Sequence, residues 1–132
     1  MKNTVKLLFI ALLTLTGCSK ISAPNENARK IFGKWDYKSN SGGFSGAGGS
    51  NRFCQNCWIE ITNHGEFNVF EGTNQISTGN LSIEMKESIF SVDPLPALVY
   101  QNGEYETYRF FGDTLLLSEE RYDGYSYIFV KK

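Results

Sequence analysis

A chain of 132 residues with 13 Lys and Arg against 14 Asp and Glu carries a formal net charge of −1. That is length for one domain with one core, and the balance argues against nucleic acid or a strongly anionic membrane surface as the partner. Ten Phe, seven Tyr and two Trp favour strands and large buried areas, and no internal repeat is evident.

Lys2 and Lys6 give a basic start to an almost wholly apolar run, Val5 to Leu15. The run has the length of a signal-peptide core and falls short of the roughly 20 apolar residues that span a bilayer. Leu15-Thr16-Gly17-Cys18 resembles the lipobox of bacterial lipoproteins, whose cysteine thiol is alkylated by a diacylglycerol before cleavage. The resemblance implies that residues 1–17 are a signal peptide and that Cys18 becomes the lipidated first residue, carrying palmitate-type chains. The protein would then be anchored to a membrane without crossing it. An ordinary signal peptide with a chance cysteine, or a buried core helix, is the alternative reading. Loss of Lys2 and Lys6 with the leader leaves 115 residues and a net charge of −3.

Residues 18–30 are polar, with Pro24, Asn25, Glu26 and Asn27, and read as a tether. Its twelve residues from Ser19 to Lys30 would reach about 40 Å fully extended. No acidic run follows Cys18, which favours a cell-envelope location on the outer membrane, facing the periplasm.

Residues 31–132 read as one all-β domain. One short helical turn is expected near Asn27–Phe32, followed by a first strand at Lys34–Ser39. Period-two alternation then recurs. Cys57, Ile59 and Ile61 share one face opposite Trp58, Glu60 and Thr62, and Asn63-His64-Gly65 turns the chain into Glu66–Glu71. Ile76–Met85, interrupted at Gly79-Asn80, and Ser88–Val92 follow. Asp93-Pro94-Leu95-Pro96 is expected to form a rigid corner that a central strand could not contain. Leu98–Gln101, Tyr105–Phe111, Thr114–Ser118 and Tyr125–Val130 complete about nine short strands, within a range of eight to ten. Such a series builds an antiparallel up-and-down barrel or, alternatively, a sandwich.

Gly33-Lys34-Trp35 after a helical turn resembles the Gly-x-Trp opening of lipocalins and related calycin barrels. Phe111-Gly112-Asp113-Thr114-Leu115-Leu116-Leu117-Ser118 with Tyr125–Lys132, and the Asn63-His64-Gly65-Glu66-Phe67 hairpin, are similar to small lipocalin-like lipoproteins of Bacteroidetes. The resemblance implies a lipocalin-like barrel in which Gly33 and Trp35 are structural and Trp35 packs under an arginine near the last strand. Arg121 is the nearest candidate for that arginine and Arg109 the other.

Cys54-Gln55-Asn56-Cys57 leaves an even pair of thiols once Cys18 is acylated, which in an oxidising compartment reads as a disulfide closing a small loop. A redox role would want a helix N-terminus, whereas Trp58-Ile59-Glu60-Ile61 reads as strand. A zinc site would need two further ligands, with His64 the sole histidine. Ser39–Asn51 holds five glycines and four serines and reads as a mobile loop, since a phosphate-cradling loop would open a helix. Glu104 and Glu106 alternate and so share a face, but no nucleophile–base spacing accompanies them, and no catalytic residue, metal or cofactor is assigned. The expected function is binding of a small apolar or amphipathic ligand. Trp58 near the rim, Phe44 as the lid's one large apolar residue, and Tyr108, Phe110, Tyr125 and Tyr127 on the strands are its candidate contacts. The alternative is a protein-binding module of the envelope, an inhibitor or assembly subunit, with a filled core.

Overall fold

The computed structural model describes residues 20–43 and 52–132. The chain begins with one helical turn, α1 (Glu26–Arg29), and continues as eight strands: β1 (Gly33–Gly42), β2 (Cys57–Ile61), β3 (Glu66–Glu71), β4 (Asn74–Ser88), β5 (Ser91–Tyr100), β6 (Tyr105–Phe111), β7 (Thr114–Glu119) and β8 (Tyr125–Lys131). Each strand pairs antiparallel with the next, and β8 returns to β1, closing an up-and-down barrel. The expected barrel is therefore observed, and the sandwich is not.

The alternation in the sequence places side chains as period-two geometry requires. Cys57, Ile59 and Ile61 are buried while Trp58 and Glu60 are not. Tyr127 and Phe129 enter from β8, Leu115 and Leu117 from β7, and Tyr108 from β6. At the centre, Phe53 stands edge-on to Tyr127 and Phe129 at 5.1 and 5.2 Å and tilted against Tyr37 at 5.5 Å. Edge-to-face aromatic pairs add about 0.5–1.5 kcal/mol each beyond the area they bury. The interior is thus filled by its own side chains.

The nine expected strands become eight because the β4–β5 region is organised differently. Gly79-Asn80 does not interrupt β4, which runs straight through, pairing with β3 up to Asn80 and with β5 from Leu81. The segment expected as a separate strand at Ser88–Val92 is instead the tip of this hairpin: Ser88 ends β4, Ile89-Phe90 turn, and Ser91-Val92 open β5. Pro94 and Pro96 lie inside β5, opposite β4 through Met85↔Pro96, where a corner was expected. They are tolerated because β6 joins β5 only from Ala97 onward, so this part of β5 has a neighbour on one side and needs donors toward that side alone. The hairpin tip lies near the outer wall: Ser88 Oγ and the Ile89 N–H donate to Glu120, and Tyr105 OH donates to the Glu87 carbonyl at 3.2 Å.

One end of the barrel is closed by α1. Asn25 caps the turn, its Oδ1 accepting from the Ala28 N–H at 2.7 Å, and Ala28 and Ile31 are fully buried. Strand side chains bond to the carbonyls of this turn and of the residues that follow it, the Ala28 carbonyl also accepting from the Ile31 N–H at 3.3 Å. The Trp35 indole donates to the Ile31 carbonyl at 2.7 Å, Tyr108 OH to the Ala28 carbonyl at 2.9 Å, and Lys131 Nζ to the Phe32 carbonyl at 2.9 Å. Lys131 also stands 4.1 Å from the Trp35 ring centroid and Phe110 stacks on Trp35 at 5.7 Å. The cation over Trp35 is therefore Lys131. Arg121 lies elsewhere, bound to Glu119, and Arg109 sits on β6 with its side chain on the face opposite the buried Tyr108. Gly33 is required beside Lys131, since its φ is +126° and a Cβ there would stand 2.7 Å from Lys131 Nζ.

Trp35→Ala is expected to cost about 3–5 kcal/mol of unfolding free energy, read as a fall in denaturant midpoint. Lys131→Met should cost a smaller amount, about 1–2 kcal/mol. An unchanged midpoint for Trp35→Ala would show that the plug is held by other contacts.

Candidate functional site

At the end opposite α1 the barrel opens into a cavity of about 660 Å³. The β5–β6 turn (101–104), the start of β6, the end of β7 with the two residues after it, Arg52, and Gly79-Asn80 of β4 form its wall. The offset of β4 creates the gap, because its first half pairs with β3 alone. The cavity is therefore a mouth above the packed interior, and its wall is polar. Carboxylates outnumber guanidinium groups, with Glu104, Glu106 and Glu119 against Arg52 and Arg121, and Glu120 stands at the edge.

Each carboxylate is held in place. Glu106 is buried, at 5 % exposure, and points inward from β6. It accepts from the Arg52 guanidinium and from Tyr100 OH, while Arg52 also donates to Tyr100 OH at 3.2 Å. Arg52 further lies over the rings of Phe53 and Tyr127, at 5.0 and 5.3 Å to the centroids. Burial works against the charge on Arg52, but the adjacent Glu106 carboxylate more than offsets it and holds the pKa above the ordinary arginine value. Burial, reinforced by the same carboxylate, pushes the Tyr100 hydroxyl well above the tyrosine range, so Tyr100 stays a neutral donor.

Glu119 is the second fixed carboxylate. It accepts from Arg121 at 2.9 and 2.6 Å, from the Tyr125 N–H at 3.1 Å and from Tyr127 OH at 3.0 Å. Burial raises its pKa, and these donors together overcome that effect and hold it below the ordinary glutamate value. Glu120 turns to the other face, where Thr107 and the β4–β5 hairpin tip donate to it. Glu104 is exposed and accepts from the Asn102 amide at 2.9 Å.

The residues expected to contact a ligand are distributed differently. Trp58 is on the outer wall and not at the rim, stacked on Phe70 at 3.9 Å with its indole bonded to the Gly72 carbonyl at 2.7 Å. Its neighbours Asp36 and Phe70 on β1 and β3 share its outward side. Tyr108 and Phe110 belong to the closed end, and Tyr127 is buried core whose hydroxyl alone reaches toward the mouth. Tyr125 is half-buried beside Tyr127, at 6.3 Å between rings. Phe44, the expected lid residue, lies outside the described residues. Glu104 and Glu106 do share the mouth, as their alternation suggested.

Arg52, Phe53, Tyr100 and Glu119 are residues of this site and its floor that the sequence pattern did not single out. Arg52 and Phe53 follow the glycine-rich segment and look like the tail of a loop, yet Phe53 enters the core and Arg52 pairs with Glu106. Cys54 and Cys57, at disulfide distance with Cα atoms 5.0 Å apart, fix the following turn to the start of β2. The signal that could have found Arg52 and Phe53 is this cysteine pair immediately after an aromatic residue. The single histidine, His64, is exposed in the β2–β3 turn and is not among the residues of this wall. Among the described residues no group of three or more His, Cys, Asp or Glu is placed to hold a metal.

Two measurements check this arrangement. In the native protein, Cys54 and Cys57 should resist alkylation until a reductant is added, and immediate modification of both would show free thiols. The depressed Glu119 pKa stabilises the fold at neutral pH, and that contribution is lost as pH falls below the ordinary glutamate value of 4.5 toward the folded-state value. Glu119→Gln should be less stable than the parent at pH 7 and should narrow that gap on acidification. A gap that stays constant from neutral to acid pH would remove the linkage.

No protein-family model matches this chain, and no curated protein or solved structure matches it either.

Proposed function

We propose that this chain is a lipid-anchored envelope protein with a lipocalin-like barrel, held to the membrane through Cys18, that binds the polar, amine-bearing end of a small amphipathic molecule in its mouth. The observation that carries the reading is the 660 Å³ mouth, a size suited to a small ligand, walled by carboxylates in excess over arginines. An ammonium or amidinium group would find acceptors there that are already oriented by Arg52, Tyr100, Arg121 and Tyr127. The packed interior supports a ligand whose apolar part stays at or above the rim, in place of one swallowed whole. The short polar β5–β6 turn and Arg52 border the mouth and would meet it first.

A second reading is favoured by a separate observation. The tip of the β4–β5 hairpin exposes Ile89, Phe90 and Val92, the last fully. Adjacent exposed apolar side chains of this kind suit a protein contact, which supports an envelope interaction module with a filled core.

Titration with an alkyldiamine dansylated at one end, which keeps one free ammonium, and with a dansylated fatty acid separates the readings. The alkyldiamine should bind at micromolar concentration, more weakly at high salt, and Glu104→Gln should weaken it several-fold while leaving the fold intact. Tight binding of the fatty acid alone would overturn the mouth assignment. A flat response to both probes would favour the protein-binding module.

A further inference from the structure

We infer that the end of the barrel closed by α1 rests on the phospholipid surface, with the mouth directed away from it. The inference rests on the anchoring at Cys18 proposed above and adds the orientation and the face that meets the lipid.

The segment expected to be a tether is largely docked. The Ile21 N–H donates to the Asn63 carbonyl at 2.9 Å, and Ile21 and Ala23 pack against the core. Gly65 leaves the space that Ile21 fills: a Cβ at Gly65 would stand 2.9 Å from Ile21 Cγ2. The chain is therefore bound to the body from Ile21 onward, and Ser19 and Lys20 alone separate it from Cys18. The three residue steps from Cys18 to Ile21 cover at most about 11 Å. That is close to the depth of one polar headgroup layer, about 5–8 Å, and far less than a free tether of twelve residues would allow. A barrel held so closely at its α1 end cannot turn its mouth to the bilayer.

The charges agree with this orientation. At the closed end Lys20, Arg29, Lys30 and Lys131 are exposed, with Glu26, Glu66 and Asp113 the exposed acids, while Lys34 pairs with Glu60, Lys132 with Asp36 and Lys86 with Glu84. The mouth has the opposite excess. Net charge alone, slightly negative, argued against an anionic surface; its distribution along the barrel favours one at this end. Phe111 also lies at this end, at the β6–β7 turn, 61 % exposed, and an aromatic side chain suits the headgroup boundary.

The test uses the purified acylated full chain in vesicles of phosphatidylethanolamine and phosphatidylglycerol, with one fluorophore placed through Asn27→Cys on α1 or Gln101→Cys at the mouth. A phospholipid with a nitroxide headgroup serves as quencher. The position-27 probe should lose most of its emission and the position-101 probe should keep it; equal loss, or greater loss at 101, overturns the inference. A flexible Gly-Ser insertion between Ser19 and Lys20 should shrink the contrast, and an unchanged contrast would overturn the part given to docked Ile21. The intact mass keeps the two claims separate. A chain whose mass shows no acyl groups overturns the anchoring reading and this inference with it. An acylated chain with equal quenching overturns the orientation alone.

Discussion

Three side chains from three strands converge on carbonyl groups of a four-residue helix and of the residues that lead out of it, and the closed end of the barrel depends on them. Trp35, Tyr108 and Lys131 each bring an N–H or O–H to the turn that carries Ala28, Ile31 and Phe32. A helix this short has no stability of its own in water. It persists because its backbone is bonded to the wall while Ala28 and Ile31 fill the space below. The same contacts place β1, β6 and β8 at fixed heights around the plug. The barrel is thereby sealed at one end, and any opening must be at the other.

The mouth is organised by a different device, a buried carboxylate with its counterion. Glu106 is buried and bonded to Arg52 and Tyr100, and breaking such a buried pair by removing one partner costs several kcal/mol. Arg52 supplies the partner from a segment distant in sequence, and the cysteine pair after it keeps that segment close to β2. One interaction thus ties Arg52 to β6, holds the neighbouring Phe53 in the core, and fixes where the chain from Arg52 onward rejoins the barrel.

The fold class was legible because alternation is a local signal. Cys57-Ile59-Ile61, Leu115-Leu117 and Tyr127-Phe129 each announce a buried face within five residues. The closed end was half legible: Gly33 and Trp35 were visible, but the cation over Trp35 was not. Arg121 and Arg109 were weighed because the resemblance asks for an arginine, and Lys131 reaches the site through β8–β1 pairing that no local pattern encodes. Trp58 was misplaced for a related reason. Its alternation with Ile59 correctly put it on the other face, but an exposed tryptophan near a loop looks alike on a rim and on an outer wall. The mouth was the least legible, since Arg52 and Glu106 are 54 residues apart and meet only through closure. The β4–β5 hairpin was misread because prolines are judged by whether a strand is central, and β5 is central at one end and single-sided at the other.

That single-sided stretch bears on behaviour at high local concentration. A strand with an open side offers unpaired backbone groups to another chain, the usual start of edge-to-edge aggregation. Between Ser91 and Pro96 the open side is interrupted twice by residues with no N–H to give, so a second copy approaching along it meets a ladder with missing rungs. Lys86 on the partner strand, paired to Glu84 at 2.8 Å, adds charge beside the same region. Crowded copies of a chain meet one another far more often than in dilute solution. The two prolines make this exposed stretch of β5 a poor template for joining such neighbours into a continuous sheet.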